Sequence, residues 1–256
     1  PHLLLGGIAM NMMEMNTLDF QKAIAIAPTV IIPIGACEVW GPHLPMGADT
    51  IMAQEIAKLL SEKTGWVIGP SVAVGNSIMV WGPGTVTVKP ENLRAYLQDI
   101  CESLVKHGVK QFVFMSPHVG NTAIISEVAW KMRMENNINS CIFDWWRFIQ
   151  PVCTKESILE NEGWMAHGHA SEAGTSCFLY LRPELVKMER ACKTLNKIEG
   201  FYDYPDVISF TPFAECCDTW VLGDGTKASR EKGEKIVTKS LERMLEYLDK
   251  WDKYKK

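Results

Sequence analysis

The sequence predicts an α/β fold in which a mostly parallel sheet is flanked by helices on both faces. Short apolar runs alternate along the chain with longer segments of helical periodicity. The short runs are almost uniformly apolar, as expected of parallel strands that are buried on both faces. The chain has 256 residues, of which 47% are hydrophobic, so it is long enough to enclose a substantial core.

The predicted elements follow one another in a regular order. A helix over residues 17–27, with Asn16 or Thr17 as its cap, ends at Pro28 and precedes the first strand. The predicted strands are residues 30–34, 66–68, 111–115 and 141–143. The later predicted helices are residues 50–65 with Thr50 as N-cap, then 93–107, 122–136 and 175–181, and a final amphipathic helix after residue 229.

We expect residues 1–256 to form a single domain. Residues 187–222 lack clear periodicity and are predicted to form a less regular excursion packed on the main body. Residues 69–89 are rich in Gly, Pro, Ser and Thr but keep apolar residues interleaved among them, which indicates a long loop rather than a linker. Long loops within compact domains are often functional.

Composition and charge narrow the classes of function. The formal net charge is -4 and the basic residues are scattered, so nucleic acid is not an expected partner. No apolar run approaches the roughly 20 residues of a membrane span, and residues 1–7 lack the basic segment of a signal peptide. The eight cysteines form no C-x-x-C pair, which indicates reduced thiols and a cytoplasmic protein. Whether residues 1–9 are native is left open.

Polar side chains follow several of the predicted strands. Glu38 and Asp49 lie in a loop after the first strand, and His118 follows the strand at residues 111–115. His169 and Glu172 precede a helix in the same way. Because ligands of parallel sheets bind outside the carboxyl ends of the strands, we expect these five side chains to converge.

Two carboxylates and a histidine on separate loops suit a divalent cation such as zinc or manganese. Such a cation polarises a carbonyl and lowers the pKa of bound water toward ~7, as hydrolysis at neutral pH requires. No G-x-S-x-G elbow or phosphate-binding glycine loop offers a competing chemistry. Taken singly, Glu38 or Asp49 could stabilise a loop or cap a helix, and His118 could satisfy a core hydrogen bond. His43 could either support the metal ligands or be a structural residue of its own loop.

Four segments resemble the creatininase (creatinine amidohydrolase) family. Residues 38–50 read Glu-Val-Trp-Gly-Pro-His-Leu-Pro-Met-Gly-Ala-Asp-Thr and resemble the family signature E-x-H-G-P-H-L-P-x-G-x-D-T. Residues 83–85 match its Pro-Gly-Thr, residues 117–121 resemble G-H-G-G-N, and residues 169–176 resemble H-A-G-E-x-E-T-S. Residues 181–186 and 228–234 extend the resemblance over nearly the whole chain.

The resemblance implies a creatininase-like fold, a two-metal hydrolytic site and assembly into a homo-oligomer, commonly a hexamer. Glu38, Asp49 and His118 match the ligands of one metal, and Asp49 and Glu172 match ligands of the second. The remaining ligand of the second metal is a histidine in the family and is Trp40 here, whose indole has no lone pair for a metal. We therefore expect one divalent metal (Zn, Mn or Fe) per chain rather than two. The alternative is that His43 or His167 replaces the lost imidazole.

The expected function is metal-dependent hydrolysis of a small polar cyclic or amide-like substrate. Glu172 would be a fourth ligand or the base that takes a proton from water, and His169 would donate to the leaving group or the developing oxyanion. The expected pocket residues are Trp40, His43, Trp146 and His167.

Substitution of the family's usual glutamate by Gly174 argues against creatinine itself as the substrate. One alternative is a ring-opening hydrolase of a keto-inositol, because a polyol ketone needs its carbonyl polarised by only one metal. A second alternative is a non-catalytic member of the family that binds a small ligand or a partner subunit.

Overall fold

The computed structural model describes residues 7–204, 207 and 209–251 of the chain. Most of the opening segment (residues 1–6) and the basic tail (residues 253–256) lie outside the described residues. Within the described part of the chain, no helix combines the length and the apolar character needed to cross a bilayer.

A five-stranded parallel sheet forms the centre of the molecule. Its strands are β1 (Met10–Asn11), β2 (Thr29–Pro33), β3 (Val67–Ile68), β4 (Gln111–Met115) and β5 (Asn139–Phe143). They lie in the order β1-β3-β2-β4-β5, and each neighbouring pair is parallel. The predicted parallel α/β fold is therefore confirmed. Strand β1 was not predicted, because two residues carry no periodic signal.

Ten helices connect and cover the strands in the described part of the chain. They are α1 (Thr17–Ile26), α2 (Ala48–Thr64), α3 (Pro90–Lys106), α4 (Thr122–Asn136), α5 (Trp145–Phe148), α6 (Gln150–Lys155), α7 (Gly163–His167), α8 (Glu172–Leu181), α9 (Phe213–Cys216) and α10 (Arg230–Trp251). Two further short strands, β6 (Lys193–Thr194) and β7 (Gly223–Asp224), form an antiparallel ribbon.

Side chains that alternate along the strands divide the core between the two faces of the sheet. Ile31 and Val113 point to the face covered by α2, α8 and α10, where one apolar cluster lies. Ile32 and Phe114 point to the opposite face, where α1, α3 and α4 complete the other cluster. Both faces of the sheet are therefore buried, which explains why its strands read as continuous apolar runs.

The prediction that Thr50 caps α2 is wrong. The helix begins at Ala48 after Gly47, so Thr50 lies within its first turn. The Thr50 hydroxyl instead lies 3.0 Å from the carbonyl oxygen of Ala36 and 2.7 Å from that of Ala73. These contacts fix the start of α2 against the loops that leave β2 and β3, so that Asp49 enters the site from a helical first turn.

The predicted excursion at residues 187–222 contains only short elements in its described part, among them β6 and α9. Its residue Phe213 packs against His169 of the main body. The ring of Phe213 stacks on Trp220 with an interplanar angle of 11° and meets His169 edge-on at a centroid distance of 4.8 Å. The excursion therefore places an aromatic wall beside one of the predicted site residues.

Candidate metal centre

Glu38, Asp49 and His118 meet at the carboxyl edge of the sheet. Glu38 lies in the loop after β2, His118 follows β4, and Asp49 occupies the first turn of α2. One ligand atom from each side chain lies within 4.8 Å of the others, and all three side chains are buried. The convergence expected from strand topology is thus present for these three residues.

His118 is oriented so that one ring nitrogen faces the two carboxylates. Its Nε2 lies 2.7 Å from the carbonyl oxygen of Asn76, which can only accept, so Nε2 carries the proton and donates. Its Nδ1 lies 3.5 Å from Glu38 Oε2 and 3.3 Å from Asp49 Oδ2. A backbone acceptor on one nitrogen that frees the other for a metal is a common arrangement in metal-binding histidines.

The electrostatics of this group also suit a cation. Burial alone would lower the pKa of His118, but the carboxylates of Glu38 and Asp49 outweigh it and raise that pKa to about 9. Glu38 Oε2 is buried and has no hydrogen-bond partner among the described residues, which is costly for a carboxylate oxygen. Two carboxylate oxygens and an imidazole nitrogen form a donor set that zinc or manganese accepts.

Two indole groups hold Asp49 in place. Trp40 Nε1 donates to Asp49 Oδ2 over 3.3 Å, and Trp146 Nε1 donates to Asp49 Oδ1 over 3.1 Å. The two indole rings also contact each other, with centroids 5.3 Å apart. Trp40 therefore presents a proton donor to Asp49, and not a lone pair, at the sequence position where the family resemblance expects a ligand for a second metal.

His169 lies next to the cluster and contacts Glu38. Its Nε2 is 3.2 Å from Glu38 Oε1, and its Nδ1 is 3.1 Å from the carbonyl oxygen of Trp220. Both partners are acceptors, so the neutral ring can donate to one of them and the imidazolium can donate to both. The His169 ring also contacts Trp40, with centroids 4.5 Å apart and the two planes tilted by 41°.

A cavity of about 230 Å³ opens above the cluster and is lined by all three of its members. Trp40, Trp146 and His167, predicted as pocket residues, also line it. Burial lowers the pKa of His167.

The structure does not bring His43 into this cavity. Its side chain is buried, and its Nε2 is 2.9 Å from the hydroxyl of Thr175. Burial, with a smaller contribution from His169, lowers the pKa of His43 to about 4, so the ring is neutral at pH 7. Its position fits the structural interpretation that the sequence had left open.

Nor does Glu172 join the three clustered ligands. Its carboxylate accepts hydrogen bonds from Lys232 Nζ at 2.7 Å, from the backbone N–H groups of Glu160 and Asn161 at 2.9 and 3.0 Å, and from Asn161 Nδ2 at 2.8 Å. Burial would raise the pKa of Glu172, but these donors hold it below its ordinary value. The carboxylate is fully occupied, and it ties the loop before α7 to α10.

Asp144 is a cavity residue that the sequence reasoning missed. It follows β5 directly and lines the cavity, and burial raises the pKa of its carboxyl group. The signal that led to Glu38 and His118 also applied here, because Asp144 follows a predicted strand end.

Gly174 is a second residue that shapes the site, because an added Cβ there would lie 3.2 Å from Cζ3 of Trp40. The absence of a side chain at residue 174 leaves room for the indole.

Comparison with known proteins gives a consistent result. The creatininase family model, described as creatinine amidohydrolase, matches residues 13–248. The creatinine amidohydrolase of Pseudomonas putida is 26% identical over 240 residues, covering 88% of this chain and 90% of the relative. The 3-dehydro-scyllo-inosose hydrolase of Thermotoga maritima is 28% identical, covering 92% of this chain and 80% of the relative. The mycofactocin precursor peptide peptidase of Mycobacterium ulcerans is 23% identical, covering 93% and 91%.

Solved structures share the fold. A creatinine amidohydrolase (creatininase) structure superposes with a TM-score of 0.82 at 24% identity, covering 94% of this chain and 97% of the other. A creatininase described as the Mn form gives a TM-score of 0.81 at 23% identity, covering 94% and 98%. The predicted creatininase-like architecture is confirmed by these superpositions.

Proposed function

We propose that this chain, which belongs to the creatininase family, holds a single divalent metal and hydrolyses a small cyclic or amide-like substrate. The chain is a metal-dependent hydrolase, as the members of its family are. The observation that carries the single-metal proposal is the cluster of Glu38, Asp49 and His118, in which a histidine nitrogen faces two carboxylates. Trp40 supports a count of one, because its indole offers an N–H and no lone pair at the position where the family signature has a ligating histidine.

Glu38, Asp49 and His118 would hold the cation. A divalent cation bound there would supply a Lewis acid and lower the pKa of a coordinated water. The indoles of Trp40 and Trp146 keep the Asp49 carboxylate oriented through hydrogen bonds to both of its oxygens. They also wall the cavity and exclude bulk water from the substrate.

His169 is placed to carry the proton that hydrolysis has to move. Its Nε2 lies against Glu38 Oε1, at the boundary between the cluster and the cavity. A proton held on this nitrogen can pass to the leaving nitrogen of an amide, and the backbone oxygen of Trp220 holds the ring in place. Glu172 takes no part in this proposal as a ligand or base, since its oxygens are bonded to Lys232 and the loop before α7.

A ring-opening hydrolase of a keto-inositol is the second candidate. It is supported by the similarity to the Thermotoga maritima hydrolase. The cavity walls favour the amide-like substrate over a polyol, because Trp40, Trp146, Phe213 and Ile149 present mostly apolar surface. The non-catalytic alternative is disfavoured by a cluster that retains three convergent ligands. A cytoplasmic location and a homo-oligomeric assembly stay predictions.

Metal analysis and a hydrolysis assay test the proposal together. Protein reconstituted with zinc or manganese is expected to hydrolyse at least one member of a panel of small lactams, formamides, short peptides and keto-inositols, followed by mass spectrometry. Protein stripped with a chelator should be inactive until the metal is restored. A protein that neither contains nor rebinds a fraction of one equivalent would refute the proposal.

Replacing Trp40 with histidine tests why only one metal is held. We expect Trp40→His to raise the metal content above one equivalent per chain, because an imidazole beside Asp49 supplies the lone pair that indole lacks. Elemental analysis of variant and parent, loaded side by side, gives the counts. Trp81→His, at an exposed tryptophan outside the cavity, is the matched control and should stay at the parent value. An unchanged count in Trp40→His would show that Trp40 is not the cause.

A further inference from the structure

Asp144 has no role in the proposed mechanism, although it lies in the same cavity as the metal cluster. Its side chain is 15% exposed, and its Oδ2 is buried without a hydrogen-bond partner among the described residues. Oδ2 lies 3.4 Å from Arg147 Nε. Because Oδ2 is buried against Arg147 and Asp144 lines the cavity, a molecule in the cavity would approach this carboxylate through Oδ1.

The charges around the cavity favour an uncharged ligand. The two carboxylates of Glu38 and Asp49 balance one divalent cation, and Asp144 balances Arg147, the only Lys or Arg among the described residues that line the cavity. A net charge on the substrate would be unbalanced in a cavity whose other walls are mostly apolar. An uncharged molecule that carries a hydrogen-bond donor meets no such penalty, and Asp144 offers the donor an acceptor.

We propose that Asp144 is a specificity-determining residue that accepts a hydrogen bond from the amide N–H of an uncharged substrate. The assignment rests on the proposed function in taking this cavity as the substrate site and in balancing Glu38 and Asp49 with one divalent cation. A carboxylate acceptor strengthens a hydrogen bond relative to a neutral one, and a site built around it discriminates against analogues that lack the donor. The substrate class is thus an amide or lactam with a free N–H rather than a fully substituted one.

A pair of lactams tests the assignment directly. The affinities of 2-piperidinone and 1-methyl-2-piperidinone for the zinc-loaded protein are measured by ligand-observed NMR. We expect the N–H lactam to bind about tenfold more tightly, as hydrogen bonds to charged groups typically allow. Equal affinities for the two lactams in the parent protein would overturn the proposal without any variant.

Variants separate the hydrogen bond from simple crowding by the methyl group. Asp144→Ala should bind the two lactams within about twofold of each other, whereas Arg147→Ala should keep the tenfold preference because the acceptor remains. Asp218→Ala, at an exposed aspartate, is the matched control and should also keep it. Persistence of the preference in Asp144→Ala would overturn the assignment. Thermal melting checks folding, and Asp144→Ser, expected to give the same loss, replaces an unstable alanine variant.

The hydrolysis assay distinguishes a failure of this inference from a failure of the proposed function. If the parent protein prefers the N–H lactam but hydrolyses nothing in the panel, the proposed activity is refuted and the binding role of Asp144 stands. If hydrolysis is observed and the preference is absent, the activity stands and the role of Asp144 is refuted.

Discussion

Replacing His118 with alanine is expected to abolish tight metal binding and, with it, hydrolysis. His118 supplies the one nitrogen of the cluster, and its Nδ1 faces both carboxylates. Loss of groups that merely support a ligand typically costs 10- to 100-fold in metal affinity, so loss of the ligand itself should cost at least about 100-fold. Metal content after dialysis, and the dissociation constant from competition with a chromophoric chelator, measure the effect.

His107→Ala is the matched control for this prediction. His107 is an exposed histidine that directly follows α3 as its C-cap. The variant should bind metal as the parent does. Retention of a full equivalent by His118→Ala would contradict the proposed ligand set. Because the removal of His118 also leaves the buried carboxylates of Glu38 and Asp49 without a cationic ring between them, thermal stability of the metal-free variant should be recorded beside the metal content.

The sequence predicted this cluster because its placement depends mainly on strand topology. Glu38 and His118 follow strands β2 and β4, which are adjacent and parallel, so their loops leave the same edge of the sheet. Asp49 joins them because the loop after β2 leads into α2, whose first turn carries Asp49. The parallel sheet and the positions of these loops were both predictable from the alternation of apolar runs and helical segments in the sequence.

The side-chain partners of Glu172 could not be predicted in the same way. Its position at the start of α8 agrees with the family motif, but the direction of its carboxylate depends on Lys232, which lies 60 residues later. The preference of the carboxylate for an ammonium group and two backbone N–H groups becomes visible only once α8 and α10 are packed together. Asp144 also follows a strand end, but its place in the cavity lining depends on how α5 packs after β5, which the sequence does not show.

Trp40 shows how a departure from a motif is compensated in three dimensions. The indole occupies the place of a smaller imidazole, and the space that it needs is provided by Gly174, whose added Cβ would approach Cζ3 to 3.2 Å. The two departures from the family pattern are therefore in contact, although 134 positions separate them in the sequence. The N–H of Trp40 then joins that of Trp146 in binding Asp49.

Replacing Lys232 with methionine is expected to destabilise the fold by about 3–5 kcal/mol, because it leaves the buried Glu172 carboxylate without its cation. The Glu172 side chain is fully buried and that of Lys232 is 16% exposed, so solvent cannot substitute for the lost partner. Urea denaturation gives the free energy of unfolding. Lys239→Met, on the same helix and paired with Glu242 at the surface, is the matched control and should change stability by less than about 1 kcal/mol.

The pH dependence and the metal content make this last prediction specific to Glu172. Its pKa is held below the ordinary value of 4.5, so the stabilisation by Lys232 is present above that pH and is lost as the pH falls through the folded-state pKa. The difference in unfolding free energy between the parent and Lys232→Met should therefore narrow in acid.

Glu172→Gln should keep the parent metal content, because the carboxylate binds Lys232 and not the cluster. Loss of metal from Glu172→Gln, with the fold intact, would instead identify Glu172 as a ligand.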